Sequence, residues 1–134
     1  MIAVDTSIVI AAFASWHEAH QAAARLLVRR PRLPAHALIE SYSVLTRLPA
    51  PHRADARIAA TFLAESFPYA LLTLPGDAQT ALVGAVSAAG LTGGSVYDAL
   101  IGATAKHAGA LLLTRDRRAL PIYEQIGVRY ETVS

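Results

Sequence analysis

Three aspartates in this chain stand where metal-assisted phosphate chemistry would need them. Asp5 closes the short apolar run 1–4 and is followed by Thr6 and Ser7. Asp116 comes two residues after a second apolar run, 110–114. Asp98 follows the pair Gly93 and Gly94 near the start of an apolar helical stretch. The C-terminal end of a buried strand is where α/β proteins commonly build ligand sites. Carboxylates gathered there repel one another and hold their protons more tightly unless a cation neutralises them. The chain has no cysteine, and no histidine adjoins these motifs. A ligand set made only of oxygen selects Mg²⁺ or Mn²⁺ over zinc. Such an ion polarises a phosphoryl group and lowers the pKa of bound water. Thr6, Ser7 and Thr114 are placed to hydrogen-bond the carboxylates from behind.

Each acid also has a plainer reading. Asp5 and Asp116 both precede helix starts, where aspartate is a favoured N-cap. Asp98 lies three residues after Ser95, a capping-box spacing. Gly93 and Gly94 let backbone approach something closely. Asp98, Gly102 and Ala105 share a helix face, leaving room for another chain segment or a ligand. Glu40 has the weakest periodicity argument. The stripe of its helix centres on Leu38, Ile39 and Tyr42, so Glu40 points away from it, toward Arg47 and solvent. The remaining acids, such as Asp55 and Glu124, read as surface or capping residues.

The elements that would position these residues alternate. Apolar runs without polar alternation mark strands over 1–4, 69–74, 110–114 and 128–133. Helical spacing marks 7–13, 16–29, 35–48, 53–67, 77–89, 95–107 and 117–125. Pro31 and Pro34 break the second helix, and Gly90 and Gly109 end two others. Unbroken apolar strands separated by helices predict an α/β fold with a mainly parallel central sheet of about four strands.

At 134 residues the chain reads as one domain, 1–134, with a sizeable core. It is 54% hydrophobic and only 16% charged, so much of it is buried, in a core or against a partner. A net charge of +2 does not by itself point to nucleic acid. Lys106 is the only lysine, and the other basic side chains are arginines. That bias suits phosphate recognition, and arginine-rich codon usage produces it equally well. The absence of cysteine excludes disulfides, cysteine-based zinc sites and a cysteine nucleophile. It is compatible with a cytoplasmic location. No apolar run has the length of a membrane span. The run 8–14 resembles a signal-peptide core, but no Lys or Arg precedes it and Asp5 sits just before it.

The sequence as a whole resembles the PIN-domain ribonucleases, and among these the VapC toxins of bacterial toxin–antitoxin pairs. The resemblance rests on Asp5-Thr6-Ser7 after the first strand, on Glu40 in an early helix, and on two phrases. These are Tyr97-Asp98-Ala99-Leu100 and Leu113-Thr114-Arg115-Asp116-Arg117. It implies a three-layer α/β/α sandwich. It places Asp5, Glu40, Asp98 and Asp116 in an acidic pocket for one or two Mg²⁺ or Mn²⁺ ions, and so brings in Glu40 against the periodicity. Asp5, Asp98 and Asp116 would hold metal, and Glu40 would bind a second ion or orient water. The implied activity is endoribonucleolytic hydrolysis of single-stranded or looped RNA, leaving 5′-phosphate and 3′-hydroxyl ends. The implied partners are a second copy of the chain and a VapB-type antitoxin in the active-site groove.

Two rivals bear on the same residues. A haloacid-dehalogenase-type phosphatase also starts from an aspartate after a strand. It needs a second aspartate where Ser7 stands, and Lys106 lies far into a helix. A catalytically weak PIN scaffold that only grips RNA or its antitoxin would be a binding module, and the intact acidic set argues against it.

Other residues carry softer expectations. Arg115 and Arg117 flank Asp116 and would reach substrate phosphate, or else mark a charged helix start with Arg118. His17 and His20 fall on one face of the helix 16–29, too few ligands for a metal site, so a solvated face or an RNA contact is expected. Arg29, Arg30 and Arg32 read as a solvated patch, and Tyr97 as either a base-stacking or a core residue.

Overall fold

In the computed structural model, which describes residues 1–134, strand β1 (Ile2–Val4) passes directly through Asp5 into helix α1 (Thr6–Phe13). Helix α2 spans only His20–Leu26, followed by a 3₁₀ turn Leu27–Arg29 and a left-handed Arg30. The spacing predicts a helix from residue 16. Instead, successive turns close through His17 N to Ala14 O and His20 N to His17 O. The imidazole Nδ1 of His17 accepts from Ala19 N at 3.0 Å, a local side-chain bond that competes with helix.

Helices α3 (Ala35–Thr46), α4 (Ala56–Ser66), α5 (Gly76–Ala88) and α6 (Ser95–His107) follow. Then come β2 (Leu111–Thr114), a 3₁₀ turn Arg117–Ala119, α7 (Leu120–Ile126) and β3 (Tyr130–Thr132). The three strands form one parallel sheet in the order β1-β2-β3. Ile2 is paired with Leu111, Val4 with Leu113 and Thr114 with Thr132.

The expected strand 69–74 is reduced to a single bridge between Leu72 and Pro34, and Arg32 bridges Ala3. The cause lies in the neighbouring segment. Pro31 and Pro34 have no N–H, so 31–34 cannot carry a continuous ladder on either side. Arg32 is part of this arrangement rather than of a solvated patch. Its N–H donates to Ile2 O at 2.8 Å, and its guanidinium holds the carbonyl of Ala70.

Side chains of a strand alternate between faces, yet Leu112, Leu113 and Thr114 are all buried. The central strand is therefore covered on both sides, as parallel sheets require. Ile8 and Val9 of α1, Ile101 and Ala105 of α6, and Tyr123 of α7 belong to the same core. The small-residue face of α6 receives the ring of Tyr123: a Cβ on Gly102 would stand 3.1 Å from Tyr123 Cδ1. In α3 the buried residues are Ala37, Ser41 and Leu45, whereas Ile39 and Tyr42 are exposed. The buried stripe is thus rotated from the expected one, and Glu40 lies beside it, partly covered. No helix is long and apolar enough to cross a membrane.

Asp55 caps α4, accepting from Arg57 N at 3.0 Å and Ile58 N at 3.3 Å. Asp55→Ala is expected to cost about 1 kcal/mol in urea unfolding and to leave the rate of any reaction in the acidic cleft unchanged.

Candidate active site

The C-terminal ends of β1 and β2 deliver Asp5 and Asp116 to one edge of the sheet. The N-terminal turn of α6 brings Asp98, and the middle of α3 brings Glu40. Asp98, Asp116 and Glu40 line a cleft of about 740 Å³ together with Thr6, Ser7 and Arg118. Asp5 lies beneath this surface, 3% accessible, in contact with Ser7.

Asp5 is held by four donors. Its Oδ1 accepts from Ser7 N at 3.0 Å and from Ser7 Oγ at 2.5 Å. Its Oδ2 accepts from the Thr114 hydroxyl and from Tyr123 OH at 2.8 Å. A carboxylate offers roughly four acceptor positions, so all are engaged. Burial pushes the Asp5 carboxyl up from its ordinary value, and the bonds from Ser7, Thr114 and Tyr123 oppose that rise. Burial, and then the charge on Asp5, push the Tyr123 hydroxyl upward, so it stays protonated and remains a donor. The same hydroxyls also fix the segment after β2. Ser7 Oγ accepts from Arg115 N at 2.8 Å, and Thr114 Oγ1 from Asp116 N at 3.0 Å.

The cleft acids carry unbalanced negative charge. The Asp98 carboxyl is pushed up to about 6, first by burial and then by the charges of Asp116, Glu40 and Asp5. Arg118 opposes the rise. Asp116 caps the following turn, accepting from Arg118 N at 3.0 Å and lying 3.3 Å from Arg118 Nε. Glu40 Oε2 lies 3.5 Å from His36 Nε2. The His36 ring stacks on Tyr97, with centroids 4.7 Å apart and planes 5° from parallel. Tyr97 is 52% exposed, which removes the core reading for it.

The donor set suits a hard divalent cation. Its acids offer only oxygen and repel one another, and Thr6 Oγ1 beside them is buried without a hydrogen-bond partner. Contrary to the sequence expectation, the fold also brings two imidazoles near, His17 in the cleft wall and His36 against Glu40. As the side chains stand, no three acids or histidines are close enough to enclose one ion. Binding through three carboxylates therefore requires them to draw together, and a bond from Asp5 requires one of its four donors to share or yield.

The structure sorts the remaining sequence expectations by position. Ser7 and Thr114 bond Asp5, but Thr6 bonds no carboxylate. Arg115 lines the cleft and Arg117 does not; Arg118 takes that place. His17 faces the cleft, while His20 Nδ1 is 3.0 Å from Ala11 O, so the two histidines do not share a helix face. Ser95 makes no capping box, since its hydroxyl donates to Thr92 O at 2.7 Å and Gly94 holds the cap position. Gly93 serves through its left-handed backbone (φ +63°) rather than through close approach, since a Cβ added there would meet nothing within 4 Å.

Tyr123 is the residue that sequence reasoning misses. Its signal is a tyrosine inside the apolar segment Leu120-Pro121-Ile122-Tyr123, because a buried tyrosine hydroxyl usually has a polar partner.

The PIN domain family model matches residues 2–124. The chain is 48% identical over 134 residues to Ribonuclease VapC40 of Mycobacterium tuberculosis strain H37Rv, covering all of both chains. It is 43% identical over 128 residues to Ribonuclease VapC27 of the same strain, covering 95% of this chain and 93% of that relative.

Proposed function

The chain belongs to the PIN-domain family, among its VapC-type ribonucleases, and from this we propose that the acidic cleft is the active site of a divalent-metal-dependent endoribonuclease. The observation that carries the proposal is the convergence of Asp98, Asp116 and Glu40 on one cleft above Asp5, where burial and then the charges of Asp116, Glu40 and Asp5 raise the Asp98 carboxyl. The phosphatase alternative lapses with family membership.

Asp5, Asp98 and Asp116 would hold Mg²⁺ or Mn²⁺, and Glu40 would join them or orient water. When bound, such an ion supplies Lewis-acid charge and lowers the pKa of water at the scissile phosphate. The chain's own residues do the positioning. Ser7, Thr114 and Tyr123 fix the rotation of the Asp5 carboxylate. Glu40 accepts a proton at Oε1 or Oε2 from the attacking water. Arg115 and Arg118, both on the cleft wall, offset phosphate charge. Water would attack the phosphorus as the bond to the 3′ oxygen breaks, and that oxygen would leave and take up a proton, so single-stranded or looped RNA would be cut to a 5′-phosphate and a 3′-hydroxyl. In the cell the protein would act in the cytoplasm as the toxin of a type II pair. It would form a homodimer and be restrained by a VapB-type antitoxin across the cleft.

Incubating the purified protein with unstructured RNA and mapping the new ends tests this reading. Cleavage in Mg²⁺ or Mn²⁺, its loss in EDTA, and 5′-phosphate ends are expected. Cyclic phosphate ends, or full activity in EDTA, would overturn it.

A further inference from the structure

A second cleft, of about 560 Å³, lies beside the acidic one and is basic rather than acidic. It is bounded by α2, by the segment after β2 and by the end of β3. Arg25, Arg115 and Arg117 line it with Gln21 and Thr132, and Glu18 is its single side-chain carboxylate. Arg115 lines both clefts. Its guanidinium is braced, with Nε donating to Val133 O at 3.3 Å, while a terminal nitrogen lies 3.8 Å from Glu18 Oε1. Glu18 is 87% exposed, so this ion pair is well screened and readily exchanged for another anion.

We propose that this basic cleft is a phosphate subsite, gripping the RNA backbone next to the phosphate that is cut. The inference rests on the ribonuclease reading of the acidic cleft. Three guanidiniums line it with the exposed Glu18 carboxylate and Ser134, the last residue of the sequence, and a guanidinium fork matches phosphate oxygens two at a time. Arg115 stands in the wall of both clefts, so a strand with one phosphate at the acids would run past it, with a neighbouring phosphate among the arginines. Most of the lining is polar or charged, which suits a sugar–phosphate backbone better than the apolar side of a peptide. Arg117, which stands outside the acidic cleft, acquires its role here.

The test is binding of a fluorescent single-stranded RNA by anisotropy in EDTA, over a range of salt, with cleavage in Mg²⁺ measured in parallel. Arg25→Gln is expected to weaken RNA binding several-fold and to reduce the slope of log affinity against log salt by about 0.7, the loss of one phosphate contact. In cleavage it should raise KM and leave kcat unchanged. Glu18→Gln should strengthen binding by about twofold, since it removes a competing carboxylate. Arg129→Gln is the charge-matched control. Arg129 donates to Gly109 O, before β2 and at the opposite end of the sheet. If Arg25→Gln and Arg129→Gln behave alike, only overall charge is at work and the subsite is wrong. If Arg25→Gln binds and cuts RNA as the wild type does but loses a glutamate-rich peptide, the cleft is a protein-docking site and the proposal fails. If the wild type neither binds nor cuts RNA, the ribonuclease reading falls together with the subsite.

Discussion

Asp98→Asn is expected to lower RNA cleavage by about a thousandfold or more, and to make the metal-free protein more stable at neutral pH. The two effects have one cause. Asp98 is half-buried among Asp116, Glu40 and Asp5, with Arg118 as the opposing charge. Asparagine keeps the size of the side chain and removes its charge. A metal centre contributes several kcal/mol of transition-state stabilisation, and about 1.4 kcal/mol is tenfold in rate, so under the proposed mechanism loss of one anionic ligand is severe. In the absence of metal the same charge is a burden.

The sign follows from linkage. The folded-state value of Asp98, about 6, lies above its ordinary 3.8. The folded protein therefore binds more protons than the unfolded chain between these values, and stability falls as pH rises through them. The contribution is fully present below pH 3.8 and lost above about 6. With solvent screening at a half-exposed carboxyl, the loss is on the order of 1 kcal/mol. Asp5, also raised, adds in the same direction. Urea unfolding in EDTA should show the wild type losing stability as pH rises from about 4 to 7, and Asp98→Asn losing less. Mg²⁺ or Mn²⁺ at neutral pH should stabilise the wild type and have little effect on the variant. Cleavage should fall in mild acid, and added metal should partly restore it, because protons and cations compete for the carboxylates. Wild-type cleavage by Asp98→Asn, or a variant less stable than the wild type at neutral pH, would refute this account.

The parts of the site that rest on strand ends are legible in the sequence. Apolar runs without alternation announce strands buried on both faces, and an aspartate just beyond each one can only lie at that edge of the sheet. Glu40 is hidden because periodicity weights large side chains. In α3 the close helix contacts use Ala37 and Ser41, while Ile39 and Tyr42 are left exposed. A stripe drawn through the bulky residues therefore points the wrong way, and only the family resemblance brings Glu40 to the cleft. The segment 69–74 has strand composition but meets a proline-containing neighbour, a pairing that no local pattern reveals. Asp5 and Asp116 are also N-caps, in keeping with their plainer readings. Capping and pocket formation are compatible, because one carboxylate oxygen of Asp116 serves the turn and the other is free to face the cleft.

Tyr123→Phe is expected to weaken metal affinity and cleavage together by about 10- to 100-fold, the usual effect of losing a partner behind a metal ligand. The ring of Tyr123 is buried against Gly102, and phenylalanine preserves that packing. What disappears is one of the four donors to Asp5, the bond to Oδ2. Burial already disfavours the Asp5 carboxylate, and fewer bonds to the ionised form raise its carboxyl further. Two consequences separate this role from a merely structural one. The Mg²⁺ concentration for half-maximal cleavage should rise, and excess Mg²⁺ should recover part of the rate. The stability deficit of the variant should also be small in acid, where Asp5 is protonated, and grow as the pH rises, reaching about 1–2 kcal/mol. A packing defect would be indifferent to both variables. Tyr130→Phe gives the comparison, since that hydroxyl bonds the exposed carboxylate of Glu124 at 2.9 Å, away from the cleft acids, and should leave the metal requirement unchanged. A Tyr123→Phe enzyme with the wild-type metal requirement would show that Ser7 and Thr114 alone suffice to hold Asp5 in place.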